Sequence, residues 1–73
     1  MHKGIIRVKG ICGGDPIIAG TRITAQHIYD LYEKKRWWKT RIQEEYPQLS
    51  MYKINEAIKY VALEVKRRRK NDR

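Results

Sequence analysis

Turn-forming residues surround a short apolar triplet in the decapeptide Gly13-Gly14-Asp15-Pro16-Ile17-Ile18-Ala19-Gly20-Thr21-Arg22. Gly14 and Gly20 tolerate the positive φ that other residues avoid, and Pro16 fixes its own φ. The triplet Ile17-Ile18-Ala19 lies between them. An apolar triplet bounded by turn residues predicts a short buried strand or an extended arm.

A helix is predicted directly after this decapeptide. Thr24 is a favourable N-cap residue. The apolar residues that follow it, Ile28, Leu31 and Tyr32, recur at the i, i+3, i+4 spacing of one helix face. We therefore predict an amphipathic helix over residues 25–35.

A second, shorter helix is predicted over residues 40–45. Ile42 and Tyr46 are four residues apart, which places them on the same helix face. Pro47 then ends the helix, because the residue before a proline avoids helical angles. Thr40 is the predicted N-cap.

The longest helix is predicted to follow Ser50, which is its N-cap. Its apolar stripe comprises Met51, Ile54, Ala57 or Ile58, Val61 and Val65. Two helices separated by a four-residue connection match the helix-turn-helix pattern. The predicted fold class is α+β, with short N-terminal strands followed by a three-helix, helix-turn-helix bundle of the winged-helix or homeodomain-like kind.

A half-buried strand is predicted over residues 5–11, upstream of the decapeptide. Ile6, Val8 and Ile11 are its expected inward residues, since Arg7 and Lys9 alternate with them. With residues 17–19 it forms either a small hairpin or a pair of strands shared between two copies. A two-stranded ribbon is marginal in water, so helices or a second copy must cover it.

Length and composition favour one small domain without disulfides. A chain of 73 residues builds a core that supplies only a few kcal/mol, so a partner or dimer would add stability. The single cysteine, Cys12, excludes a disulfide framework and a cysteine-based zinc site. Neither an apolar signal region nor a membrane-length apolar run occurs in the sequence. We expect a cytoplasmic protein that does not bind membranes.

The net charge of +9 implies that some surface carries an unbalanced positive field. It is densest at residues 66–73, where Asp72 is the one acid among Lys66, Arg67, Arg68, Arg69, Lys70 and Arg73. We interpret residues 1–65 as the domain and residues 66–73 as a basic tail. Three interpretations of the tail remain open: a solvated helix end or disordered extension, a phosphate-binding segment, or a contact for an acidic protein.

The first turns of the longest helix carry the side chains expected to read DNA. If this helix enters the major groove, the outward residues are Tyr52, Lys53, Asn55, Glu56 and Lys59. Asparagine reads adenine through two hydrogen bonds, and lysine reaches guanine or phosphate. The alternative is that these are ordinary solvated helix positions.

Trp37 and Trp38 are the predicted partner-binding residues. Adjacent side chains point in different directions, so one tryptophan is expected to pack on the core and the other to face a partner. Two alternatives remain, that both are structural, or that one stacks on a nucleic-acid base beside the nearby cations.

No arrangement typical of catalysis is visible. The candidate groups have no catalytic spacing: Cys12, Asp15, His27, Asp30, Glu33, Glu44 and Glu45. His27 and Asp30 share a helix face, a pair that occurs more often at surfaces than at metal sites. We expect no enzyme activity, no cofactor and no metal.

Three ordered motifs give the chain a resemblance to a known family. They are Gly14 to Arg22 (G-x-P-x-I-x-G-T-R), Glu44 to Ser50 (E-x-Y-P-x-L-S), and Ala57 to Ala62 (A-I-x-Y-V-A). This set resembles the domain of unknown function 433 family, small prokaryotic proteins many of which resemble VapB-type antitoxins.

The resemblance implies a function and a set of partners. It implies a homodimer that binds double-stranded DNA at its own operator and holds a cognate toxin, often a PIN-like ribonuclease, inactive. The resemblance also implies a structural role for Arg22, which would pin the turn by hydrogen bonds, and contact with a phosphate is the alternative. The alternatives are a small basic nucleic-acid-binding module or transcription factor without a toxin, and an interaction subunit whose charge serves only solubility.

The chain departs from the family pattern in two places. Residues 36–39 read Arg-Trp-Trp-Lys where the family often has Gly-apolar-Ser-Pro, so the usual cap and proline start are missing. Tyr52 and Lys53 stand where the family commonly has acids. Losing acids at a helix N-terminus removes charges that would repel phosphate.

Overall fold

The computed structural model describes residues 4–71, with side chains through residue 68. Two short strands precede three helices, so the fold is α+β: β1 (Ile5–Ile6), a 3₁₀ turn (Cys12–Gly14), β2 (Ile17–Ile18), α1 (Ala25–Glu33), α2 (Lys39–Glu45) and α3 (Met51–Asn71). Within the described residues, no helix combines the length and apolar character that a membrane crossing requires.

The strands form an antiparallel pair whose register places Ile5 opposite Ile18 and Ile6 opposite Ile17. Gly14 and Gly20 both have positive φ, 83° and 82°, so the turns on either side of β2 use the glycines as predicted. Both residues of β2 are buried. The hairpin interpretation of the two N-terminal segments is therefore confirmed.

The predicted length and phase of the first strand were wrong. β1 ends at Ile6, and it buries Ile5 while Ile6 is 42% exposed. The extended stretch stops early because Gly10 adopts a positive φ of 85° and Ile11 N–H donates to the Val8 carbonyl at 3.1 Å, which makes a turn. Ile5 pairs with Ile18 and both belong to the core cluster, whereas Ile17, the partner of Ile6, is buried outside that cluster, so the Ile5 face of β1 meets the core.

Helix α1 begins as predicted, and it ends two residues early. The Thr24 hydroxyl accepts a hydrogen bond from His27 N–H at 3.0 Å. Ala25, Ile28 and Leu31 are its buried residues. Arg36 takes a left-handed φ of 61°, which turns the chain away from the helix.

Helix α2 begins at Lys39, so the predicted cap at Thr40 was wrong. Trp38 occupies the N-cap position and makes no side-chain cap hydrogen bond. Ile42 is fully buried, and the helix ends before Pro47. The connection to α3 spans residues 46–50, and it buries Leu49.

Helix α3 packs against α1 and α2 and supplies much of the core. The Ser50 hydroxyl caps it by accepting from Lys53 N–H at 3.2 Å. Its buried residues are Ile54, Ala57, Ile58 and Val61, with Val65 partly buried against the same core. The helix continues without a break beyond residue 65 to Asn71, so residues 66–71 extend it away from the core.

Candidate nucleic-acid interface

The outward face of α3 carries a stripe of exposed residues, here called the α3 stripe: Tyr52, Lys59, Leu63 and Lys66. Successive residues of an α-helix are about 100° apart, so these positions lie roughly opposite the buried Ile54 and Val61. Tyr52 is 57% exposed and Leu63 is 46% exposed. The stripe is thus cationic, with one aromatic and one aliphatic side chain.

Two predicted DNA-reading residues lie beside this stripe rather than on it. Lys53 is half-buried on one flank of α3, and Asn55 is half-buried on the other flank. The Asn55 Oδ1 atom is buried and has no hydrogen-bond partner among the described residues. Reading adenine needs both ends of the asparagine amide, so the buried Oδ1 does not favour base reading by Asn55, and that role stays a prediction.

The basic residues at the end of α3 are exposed and lie on different sides. Lys66 continues the α3 stripe, and Arg67 and Arg68 line two neighbouring grooves. The groove at Arg68 also contains Arg7, Asp15 and Glu64. The side chains of Arg69 and Lys70, and all of Asp72 and Arg73, lie outside the described residues.

A second cluster of aromatic and basic side chains surrounds the connection between α1 and α2. We call it the Trp38 patch, and it comprises Tyr32, Trp37, Trp38, Lys39 and Arg41. The Trp38 and Tyr32 ring centroids are 6.0 Å apart, and Lys39 Nζ lies 5.6 Å from the Trp38 centroid and 5.9 Å from that of Tyr32. The Arg41 guanidinium lies 4.2 Å from the Trp37 ring. These contacts hold the rings in place.

The two tryptophans divide as expected between the core and the surface. Trp37 is half-buried against the core cluster, and its backbone N–H donates to the Leu31 carbonyl at 2.9 Å. Trp38 is 62% exposed. Large exposed aromatics and arginines are both enriched at contact sites, and the Trp38 patch contains both, so it is the second candidate surface.

The turn before α1 is held by Thr21. Its hydroxyl donates to the Ile18 carbonyl at 2.7 Å and accepts from Ile23 N–H at 3.1 Å. Arg22 is exposed, and among the described residues its guanidinium makes no hydrogen bond. The expectation that Arg22 pins this turn was therefore wrong. Its backbone carbonyl accepts from the Cys12 thiol at 3.2 Å.

His27 pairs with Tyr46 instead of Asp30. His27 Nε2 lies 2.8 Å from the Tyr46 hydroxyl, and the two rings meet edge to face. Asp30 accepts from Gln26 and forms an ion pair with Lys34 at 3.7 Å. In the part of the chain that the structure describes, no three His, Cys, Asp or Glu side chains converge as metal ligands.

The protein is thus a small α+β domain with two candidate surfaces, the cationic α3 stripe and the aromatic Trp38 patch. The sequence profile of a family described as proteins of unknown function (DUF433) matches residues 5–61. Since the match covers most of the chain, the protein belongs to this family. No curated protein and no solved structure matches it significantly.

Proposed function

We propose that this protein is an antitoxin-like, DNA-binding homodimer that binds its own operator and neutralises a cognate PIN-like ribonuclease toxin. The observation that carries the DNA-binding part is the α3 stripe. It lies on the second helix of the α2–α3 pair, whose order matches a helix-turn-helix. The family membership and the net charge of +9 support the same proposal.

Helix α3 is the recognition helix in this proposal. Its capped N-terminus and first turns enter the major groove, and α2 crosses the sugar-phosphate backbone. Tyr52 and Lys59 contact base edges, and Lys53 contacts phosphate from the flank. Lys66, Arg67, Arg68 and Arg69 add phosphate contacts, which position the protein without reading sequence. Asn55 is left out of base reading because its Oδ1 is buried.

The toxin contact is assigned to the Trp38 patch. Ribonuclease sites that bind metal are rich in carboxylates, and the patch places the exposed Trp38 beside Lys39, with Arg41 over the neighbouring Trp37. Complementary charge of this kind speeds association more than it raises affinity.

A pair of lysine variants tests the recognition helix. Lys59→Ala removes a cation from the α3 stripe, and Lys9→Ala removes one from an exposed turn elsewhere. We expect Lys59→Ala to weaken binding to a duplex from the chain's own upstream region by about tenfold, as removal of a base or phosphate contact does. Lys9→Ala should change it less than about twofold, because only long-range charge is removed. Equal effects in both variants would show that net charge alone drives binding.

A pair of aromatic variants tests the toxin contact. Trp38→Ala should abolish co-purification with the product of the adjacent open reading frame, whereas Tyr52→Ala should retain it. If Trp38→Ala still co-purifies with that product, the toxin contact does not depend on the Trp38 patch. If the wild-type protein binds its upstream duplex and no neighbouring product, the alternative of a nucleic-acid-binding module without a toxin is favoured.

A further inference from the structure

A groove of about 530 Å³ runs between β1 and the second half of α3. Ile6 and Leu63 line it, and they are two of the large apolar residues that the fold leaves most exposed. Arg7, Glu64 and Arg67 complete its charged rim. No pattern in the sequence indicates this site, because the alternation around Ile6 predicts that it faces the core.

The backbone of β1, whose residues Ile5 and Ile6 line this groove, also offers hydrogen-bonding groups. Gly4 accepts from Ala19 N–H at 2.7 Å, so residues 4 and 19 form a hydrogen-bonded pair of the antiparallel ladder. Such pairs alternate with pairs whose backbone groups point away from each other. Ile18 fits that alternation, since its N–H donates to Ile23 at 2.9 Å on the opposite side. By the same alternation, the N–H and C=O of Ile5 point outward.

The outer edge of β1 is the open edge of the described sheet. On its other side β2 is covered by the bridge between Ile17 and Thr24. Among residues 4–71, no backbone or side-chain group bonds the outward N–H and C=O of Ile5. An open edge of this kind accepts a further strand.

We propose that a second copy of this chain occupies the groove, with β1 pairing antiparallel to the β1 of its partner about a two-fold axis. The outward N–H and C=O of Ile5 are self-complementary in that arrangement, as a two-fold interface requires. The rim is self-complementary too, because Glu64 of one copy meets Arg67 of the other. Ile6 and Leu63 become buried.

The small size of the sheet favours this occupant. Strands of two residues are marginal alone, and doubling the sheet adds two strands to the same layer. The proposal rests on the homodimer part of the proposed function and not on DNA or toxin binding. It gives that dimer a surface distinct from the Trp38 patch.

Charge gives the dimer a salt dependence opposite to that of DNA binding. Each copy carries +9, so the copies repel each other and added salt screens that repulsion. The dimer should therefore tighten as salt rises. Binding to DNA should weaken over the same range, because counterions compete for phosphates.

Sedimentation velocity of the full chain without DNA, over a concentration series at low and high salt, tests the proposal. We expect a monomer–dimer equilibrium that Leu63→Gln and Ile6→Thr each weaken by about tenfold, as removal of a buried aliphatic side chain does. Tyr52→Gln alters a residue on the same helix that is at least as exposed as Leu63, and it should leave the monomer–dimer equilibrium unchanged. Circular dichroism checks that each variant is folded.

A charge exchange tests the orientation. Glu64→Arg and Arg67→Glu should each weaken self-association, and an equimolar mixture of the two variants should form a heterodimer, since both cross-copy pairs are restored. A wild-type protein that stays monomeric throughout, or a dimer that Leu63→Gln and Ile6→Thr leave intact, would overturn the inference. Because Arg67 is also assigned a phosphate contact and Leu63 lies on the α3 stripe, DNA binding is measured separately with Lys59→Ala, and its failure with an intact dimer would leave this surface standing.

Discussion

Thr21 makes two hydrogen bonds in the turn between β2 and α1. One bond satisfies the Ile18 carbonyl and the other satisfies Ile23 N–H, and both lie in a partly buried setting. The neighbouring Arg22 side chain is exposed. At this point the family signature of threonine followed by arginine therefore divides into one residue that builds the turn and one that is available to solvent.

Replacement of Thr21 by valine should destabilise the fold while replacement of Arg22 by alanine should not. Thr21→Val keeps the shape, leaves the Ile23 N–H unpaired and removes one of the two hydrogen bonds to the Ile18 carbonyl, which lowers the free energy of unfolding by about 1 to 3 kcal/mol. Arg22→Ala should stay within about 0.5 kcal/mol. Urea denaturation of both variants measures the difference. A larger effect for Arg22→Ala would restore the arginine as the residue that pins the turn.

Single residues were predictable where their role is local. Thr24 and Ser50 cap their helices as expected, because a cap depends on the few residues after it. Asn55 was not predictable in the same way. Asn55 lies on a flank of α3 between the buried stripe and the exposed face, and whether the rest of the fold covers such a flank is not specified by the residues of one turn.

At the scale of elements, the three helices followed from their apolar periodicity and the first strand did not. The helices repeat their apolar residues over several turns, so the phase is well determined. In the first strand Ile5 and Ile6 are adjacent, and either could face the core. Pairing with β2 selected Ile5, which sequence periodicity alone could not show.

The contribution of the α3 extension beyond Val65 to DNA binding can be measured separately from its contribution to stability. Lys66→Gln with Arg68→Gln should weaken duplex binding and lower the salt slope by about 1 for each phosphate that is no longer neutralised. The matched control is Lys9→Gln with Arg22→Gln, which removes the same charge from exposed sites elsewhere. Anisotropy titrations across a salt series give both slopes. Equal slopes for the two double variants would contradict a role for this extension in binding.

Deletion of residues 66–73 should leave the unfolding temperature nearly unchanged. The core contacts of α3 end at Val65, and Lys66, Arg67 and Arg68 are exposed. Thermal unfolding followed by circular dichroism measures the change. A drop of more than about 8 °C, which corresponds to 1 to 2 kcal/mol in a domain of this size, would mean that the extension belongs to the fold.

For the whole molecule, composition predicted a basic protein with one small core, and only the fold shows where the charge lies. Part of the positive charge lies on the α3 stripe, in the Trp38 patch and in the two grooves beside β1. Spacing along α3 predicted the first of these surfaces. The grooves bring residues 5–16 against residues 60–68, so no local pattern could reveal them.

The central claim is that this molecule recognises a DNA sequence and does not merely bind polyanions. Fluorescence anisotropy with a labelled duplex from the chain's own upstream region, against a scrambled duplex of equal composition, tests that claim across a salt series. We predict tighter binding to the native duplex at every salt concentration. If about six phosphates are neutralised, log K should fall with log salt at a slope of about −5. Equal affinity for both duplexes, or no binding even at low salt, would contradict the account.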